Sequence, residues 1–164
     1  MEGFIEAGKK TATLPDDSLV VTSDPNNDPK FVALLKKLQT LHGELLKQNL
    51  SENPALIGDY LGELRLGANQ LFAYLNVFID MHSEMLAEYA QERQKLYEFW
   101  LTTPKGSPSS AESYAREKTR IQDTNIKIIE NRIQQIKNNY ERYNGICIYL
   151  QSRLKEFNTE RMVG

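Results

Sequence analysis

The sequence has one cysteine, two histidines and one tryptophan in 164 residues. A lone cysteine excludes an intrachain disulfide framework and a cysteine-rich metal site. No glycine-rich phosphate loop, nucleophile elbow or metal-ligand cluster is present, so no catalytic motif stands out. No apolar run approaches the roughly 20 residues that a membrane span needs. The N-terminal "MEGFIEAGKKTATLPDD" lacks a sustained apolar core after a basic start, so it does not read as a secretory signal. These absences predict a non-enzymatic, cytoplasmic protein with no cofactor, no bound metal and no membrane contact. An excess of charge is missing too: the formal net charge is −2, so overall electrostatics selects neither nucleic acid nor membrane.

What remains is ordinary soluble composition, 40% hydrophobic and 26% charged, in a length that suits one domain. Residues 1 to 28 hold six acids against two lysines and are rich in Asp, Asn, Pro, Ser and Thr. They read as a flexible acidic arm, with "SLVV" as a short docking segment. Asp28 followed by Pro29 is a helix start, because proline at the first helical position gives up no needed donor. Phe31, Leu34, Leu35, Leu38, Leu41, Leu45 and Leu46 then mark one face of a helix over about residues 29 to 49.

Asn53 and Pro54 repeat the start signal, and a very long helix is predicted over about residues 55 to 101. Its seam runs Leu61, Leu64, Ala68, Leu71, Leu75, Phe78, His82, Met85, Tyr89, Glu92, Leu96, Phe99 at alternating spacings of three and four. Phe72, Ile79 and Leu86 widen that stripe on one flank, as packing against more than one neighbour requires. Gly58, Gly62 and Gly67 mark either fraying or a close helix crossing. "TTPKGSPSS" ends the helix, and Ser109 with Glu112 has the pattern of a capping box for the next one, over about residues 110 to 160. There Ile126, Ile129, Ile133, Ile136, Tyr140, Tyr143, Cys147, Leu150, Leu154 and Phe157 step by three and four without a charge, the strongest periodicity in the chain.

Two long helices joined by a short loop fold back on each other. The expected fold is therefore all-α: a long, coiled-coil-like antiparallel hairpin with the shorter N-terminal helix alongside, forming one domain over residues 29 to 164. The nine seam residues from Ile129 to Phe157 are expected to serve the hairpin and its self-association. Ile121, Ile128 and the nearly all-round apolar "ICIYL" leave broad flanks, which predicts a homo-oligomer.

Few residues invite chemistry. His82 on the seam reads as a packed, hydrogen-bonded core histidine, and Cys147 as a small buried hydrophobe rather than a redox thiol. Glu92, the one acid on its seam, is expected to pair with Arg116 or Arg120. Residues 112 to 164 carry ten bases and seven acids. Arg116, Lys118, Arg120 and Lys127 gather early in the last helix, just past Lys105 in the loop. Arg132, Lys137 and Arg142 continue among asparagines and glutamines. Bases supply salt-dependent attraction to phosphates and amides contact phosphate and sugar, so this strip is the candidate nucleic-acid site, against a plain solvated face. Tyr97, Trp100 and Tyr114 flank the loop as candidate stacking platforms or as a lock on the hairpin end.

The segment "HSEMLAEYAQERQKLYEFWLTTPKG", residues 82 to 106, followed by a second long helix ending in "SRLKEF", resembles the UvsY-like recombination mediators of tailed phages. The likeness covers residues 70 to 160 and lies in helix lengths and spacing. It implies an oligomeric accessory protein that binds single-stranded DNA in the host cytoplasm. Such a protein helps load a recombinase onto strands coated by a single-strand-binding protein. The other reading of the helical pattern is a structural or assembly protein, such as a viral scaffold or chaperone, that binds only protein.

Overall fold

The computed structural model describes residues 12–13, 20–21, 28–48 and 53–163. Helices α1 (Pro29–Leu45), α2 (Pro54–Leu101), α3 (Pro108–Lys118) and α4 (Arg120–Val163) account for most of them. A two-residue antiparallel ladder pairs β1 (Ala12–Thr13) with β2 (Val20–Val21). The rest of the arm expected over residues 1 to 28 lies outside the described residues, apart from Asp28, which belongs to α1 as its cap.

Three helices begin in the same way, with a capping side chain followed by proline. Asp28 Oδ1 accepts from the Lys30 and Phe31 amides at 2.9 and 3.4 Å. Asn53 Oδ1 accepts from Leu56 at 3.3 Å, and Ser107 Oγ accepts from Ser110 at 3.3 Å. In each case a donor at the helix start finds a side-chain oxygen and proline supplies the fixed φ of the first turn. The capping box expected at Ser109 and Glu112 is therefore displaced to Ser107 and Ser110, because Pro108 already occupies the first helical position. Thr102 and Thr103 close α2 by returning their hydroxyls to the Phe99 and Trp100 carbonyls, both at 2.7 Å. The loop then folds back so tightly that a Cβ at Gly106 would meet the Trp100 carbonyl oxygen at 2.4 Å.

α2 and α4, about 72 and 66 Å long at 1.5 Å per residue, form the antiparallel hairpin. Phe72 meets Tyr140, and His82 reaches Glu130 at 3.1 Å, so numbers rise along one helix as they fall along the other. α1 runs antiparallel to α2 on one side of this pair. Its N-terminus is tied down by Tyr74 Oη, which donates to Asp28 Oδ2 at 3.1 Å, and Phe31 meets the Tyr74 ring edge-on at 4.9 Å. Farther along, Leu38 occupies the space left by the missing side chain of Gly67, the close crossing that the glycine cluster predicts. Gly58 and Gly62 have nothing within 4 Å and take no part in it.

The core is uneven along the rod. Every buried residue of α2 lies between Ile57 and Phe78, the stretch beside α1. Past that point Met81, His82, Met85, Tyr89, Glu92 and Leu96 are only half-buried, since two helices cannot enclose a seam as three can. On α4, Ile129, Ile136, Tyr143, Cys147 and Leu150 are buried, while Ile133, Tyr140, Leu154 and Phe157 are half-buried. Leu46, expected on the core face of α1, lies past the end of that helix and is 74% exposed.

The single helix expected over residues 110 to 160 is two helices that meet at Thr119. The backbone ladder continues through the joint, from Thr119 N–H to the Ala115 carbonyl and from Asp123 N–H to the Thr119 carbonyl, both at 3.0 Å. The Thr119 hydroxyl also donates to the Ala115 carbonyl at 2.8 Å. Thr119 itself departs from the helical conformation, with φ −95° and ψ 8°. Ala111, Ala115 and Thr119, each completely buried, give α3 a flat face of small residues that lies against α2.

Candidate nucleic-acid interface

Ser113, Arg116 and Glu117 on α3 and Arg120, Asp123 and Lys127 on α4 converge on Tyr89 and Arg93 of α2 around an open groove of about 680 Å³. Lys127 Nζ donates to Asp123 at 2.7 Å, and this bond holds the ammonium above the usual lysine range. Arg93 bridges Glu112 and the Tyr89 hydroxyl, the latter at 3.0 Å, and those hydrogen bonds raise its pKa as well. Arg116 and Arg120 have no ion-pair partner among the described residues. Two solvent-exposed guanidinium groups, one turn apart on the same face, are thus left without a carboxylate partner among the described residues, open to the bidentate contacts that phosphates make.

Of the five predicted binding residues, Arg116, Arg120 and Lys127 line the groove. Lys118 does not: its ammonium lies 5.6 Å above the Tyr114 ring. That ring stacks on Trp100 at 4.3 Å with an angle of 20°, and Trp100 Nε1 donates to Ser110 Oγ at 3.0 Å. Two of the aromatics considered for stacking therefore lock the hairpin end, and 58%-exposed Phe99 is the ring left open there. Lys105 sits in the loop, exposed, where its carbonyl accepts from Ser110 Oγ at 3.2 Å. Tyr97 borders a shallower depression with Tyr89 and Arg93.

Arg93 escaped the sequence reading, although a signal was present. It continues the heptad line Phe72, Ile79, Leu86, and so marks the point at which that exposed apolar line becomes basic. The pairing expected for Glu92 is absent; its neighbour Arg93 makes the contact to α3 through Glu112 instead. His82 is half-buried at the rim of the seam, with Glu130 as partner. Burial pushes the Cys147 thiol up, the opposite of the shift a nucleophilic cysteine needs. Burial also raises the Tyr143 phenol, whose hydroxyl has no hydrogen-bond partner among the described residues. Among the described residues no three potential metal ligands cluster, and no helix is long and apolar enough to cross a membrane. No protein-family profile, curated protein or solved structure matches the chain.

Proposed function

We propose that the protein is a non-enzymatic, self-associating accessory factor that holds single-stranded DNA and assists homologous recombination as a mediator of recombinase loading. The observation that carries the reading is the pair of unpartnered guanidinium groups, Arg116 and Arg120, in one groove with Lys127, Arg93 and the Tyr89 ring. Phosphates supply the charge those forks lack, and Tyr89, Tyr97 and Phe99 offer rings beside the path for unstacked bases. Self-association has its own surface. On α2 the line Phe72, Asn76, Ile79, Ser83, Leu86, Ala90 is free of charge, and Phe72, Ile79 and Leu86 are each more than two-fifths exposed. Copies joined along it would align several grooves, and avidity would strengthen a modest contact per copy.

The test is a fluorescence-anisotropy titration of a labelled single-stranded oligonucleotide at two salt concentrations. Binding should weaken steeply with salt, with a logarithmic slope of about −0.7 for each phosphate contacted. Arg116→Ala with Arg120→Ala should flatten that slope by about 1.4 units if each guanidinium meets one phosphate, leaving helicity unchanged. The protein should also speed recombinase assembly on strands coated by single-strand-binding protein, and sedimentation should give a mass above that of one chain. Absence of binding at low salt refutes the reading. The protein-only scaffold, favoured by the net charge of −2 and the apolar line on α2, then takes its place.

A further inference from the structure

Arg93 belongs to two depressions at once. With Tyr89 it lines the groove that holds Arg116 and Arg120, and the same two residues line the neighbouring depression of about 510 Å³ that contains Tyr97 and Glu112. Arg93 is fixed at this shared border by two hydrogen bonds. Its Nη1 donates to the Tyr89 hydroxyl at 3.0 Å, and its Nη2 donates across to the Glu112 carboxylate on α3. The guanidinium carbon also lies 5.9 Å from the centre of the Tyr89 ring. It therefore partly covers the ring on which a base would stack. Glu112 thus holds back both the charge and the platform that a strand in this groove would use.

The bridge contributes little to the fold. Its side chains are 33% and 54% exposed, and ion pairs with that much water around them add little stability. Other contacts hold α3 against α2. Ala111 and Ala115 are completely buried, Tyr114 stacks on Trp100, and Trp100 Nε1 donates to Ser110. Arg93 can thus leave Glu112 without α3 lifting away. A phosphate accepts the same guanidinium fork that a carboxylate does. A strand already lying on Arg116 and Arg120 presents its next phosphate at high effective concentration, which favours the exchange. We propose that the Arg93–Glu112 bridge is a latch on the groove: a single strand takes Arg93 from Glu112 through a phosphate and sets an unstacked base on the Tyr89 ring so uncovered. With the bridge open, the two depressions join into one path from Arg120 past Tyr89 to Tyr97, two turns and about 12 Å farther along α2. Glu112 then sets the affinity without touching the strand, by competing for Arg93. The latch rests on the single-strand reading of the groove.

The full chain and its Glu112→Gln, Arg93→Ala and doubly substituted forms are titrated with a labelled oligothymidylate at low salt, followed by fluorescence anisotropy. Glutamine keeps the shape of Glu112 and removes the charge that holds Arg93. Glu112→Gln alone should tighten binding about twofold to fivefold, the worth of an exposed ion pair. In the Arg93→Ala background the same change should do little, because no guanidinium remains to be released. Arg93→Ala alone should weaken binding and flatten its logarithmic salt slope by about 0.7 units, the share of one phosphate. Circular dichroism should be the same for all four proteins. Three results overturn the latch. An equal gain from Glu112→Gln in both backgrounds would make Glu112 a general repulsive charge, with the groove still the DNA site. Unchanged or weaker binding by Glu112→Gln would mean that the bridge does not oppose the strand. No binding by either the parent or Glu112→Gln removes the latch together with the single-strand reading.

Discussion

Alanine at Gly67 and alanine at Gly145 add the same methyl group to the two long helices, yet they should move stability in opposite directions. Exchanging glycine for alanine inside a helix is worth about 0.5–1 kcal/mol, largely through the freedom removed from the unfolded chain. At Gly145 nothing lies within 4 Å of the new Cβ, so that gain stands alone. At Gly67 the Cβ would come 2.4 Å from Leu38 Cδ2 and 3.0 Å from its Cγ. Leu38 is completely buried and cannot swing into solvent. Either it leaves its rotamer or α1 lifts from α2, and overpacking of this kind costs about 1–3 kcal/mol. After the helix gain is subtracted, Gly67→Ala should destabilise by up to about 2.5 kcal/mol, and the two variants should differ by the overpacking cost, about 1–3 kcal/mol. Urea unfolding followed by far-ultraviolet circular dichroism at one protein concentration measures both. Adding Leu38→Ala should turn the Gly67→Ala penalty into a gain, because the clashing atoms are gone. A Gly67→Ala protein stabilised as much as Gly145→Ala would refute the close crossing, and with it the placement of α1.

Ile136 is completely buried where α4 meets the rest of the core. Ile136→Asp should lower the thermal midpoint sharply, since an unpaired carboxylate there costs several kcal/mol; an unchanged melting curve would contradict the seam. The protein should also lose stability at alkaline pH. Cys147, Tyr143 and Tyr74 all have raised pKa values, chiefly through burial. The folded state thus keeps protons that the unfolded chain releases from pH 9.0 for the thiol and 10.0 for the phenols. Below those values the three groups are neutral in both states and change nothing. Above them each lowers the unfolding free energy by up to about 1.4 kcal/mol per pH unit. Urea midpoints at pH 8 and pH 10.5, which flank this window, test it; equal midpoints would mean these side chains are not sequestered.

The α4 seam was readable at the level of single residues because its periodicity is unbroken: each of the ten positions from Ile126 to Phe157 is buried or half-buried. Helix starts were read correctly at Asp28 and Asn53, where a capping residue precedes proline, but not at Ser107, which precedes Pro108 in the same way. The break at Thr119 was not, because a threonine inside a helical pattern carries no local stop signal. Thr119 is completely buried together with Ala111 and Ala115 where α3 lies against α2. The candidate site followed the same division. Spacing alone puts Arg116, Arg120 and Lys127 on one face, but only the folded-back hairpin sets that face beside Tyr89 and Arg93, while Lys118 turns to the Tyr114 ring.

Local chemistry alone therefore determined the helical class and the edges the helices bury, since 3.6-residue periodicity and capping depend on neighbours close in the chain. Tertiary structure decided how much of each edge is enclosed, because α1 is short and covers the hairpin on one side and over part of its length. Which guanidinium groups stay unpaired was settled there too. Arg93 is claimed by Glu112 nineteen residues away, a match that only the folded-back hairpin brings about.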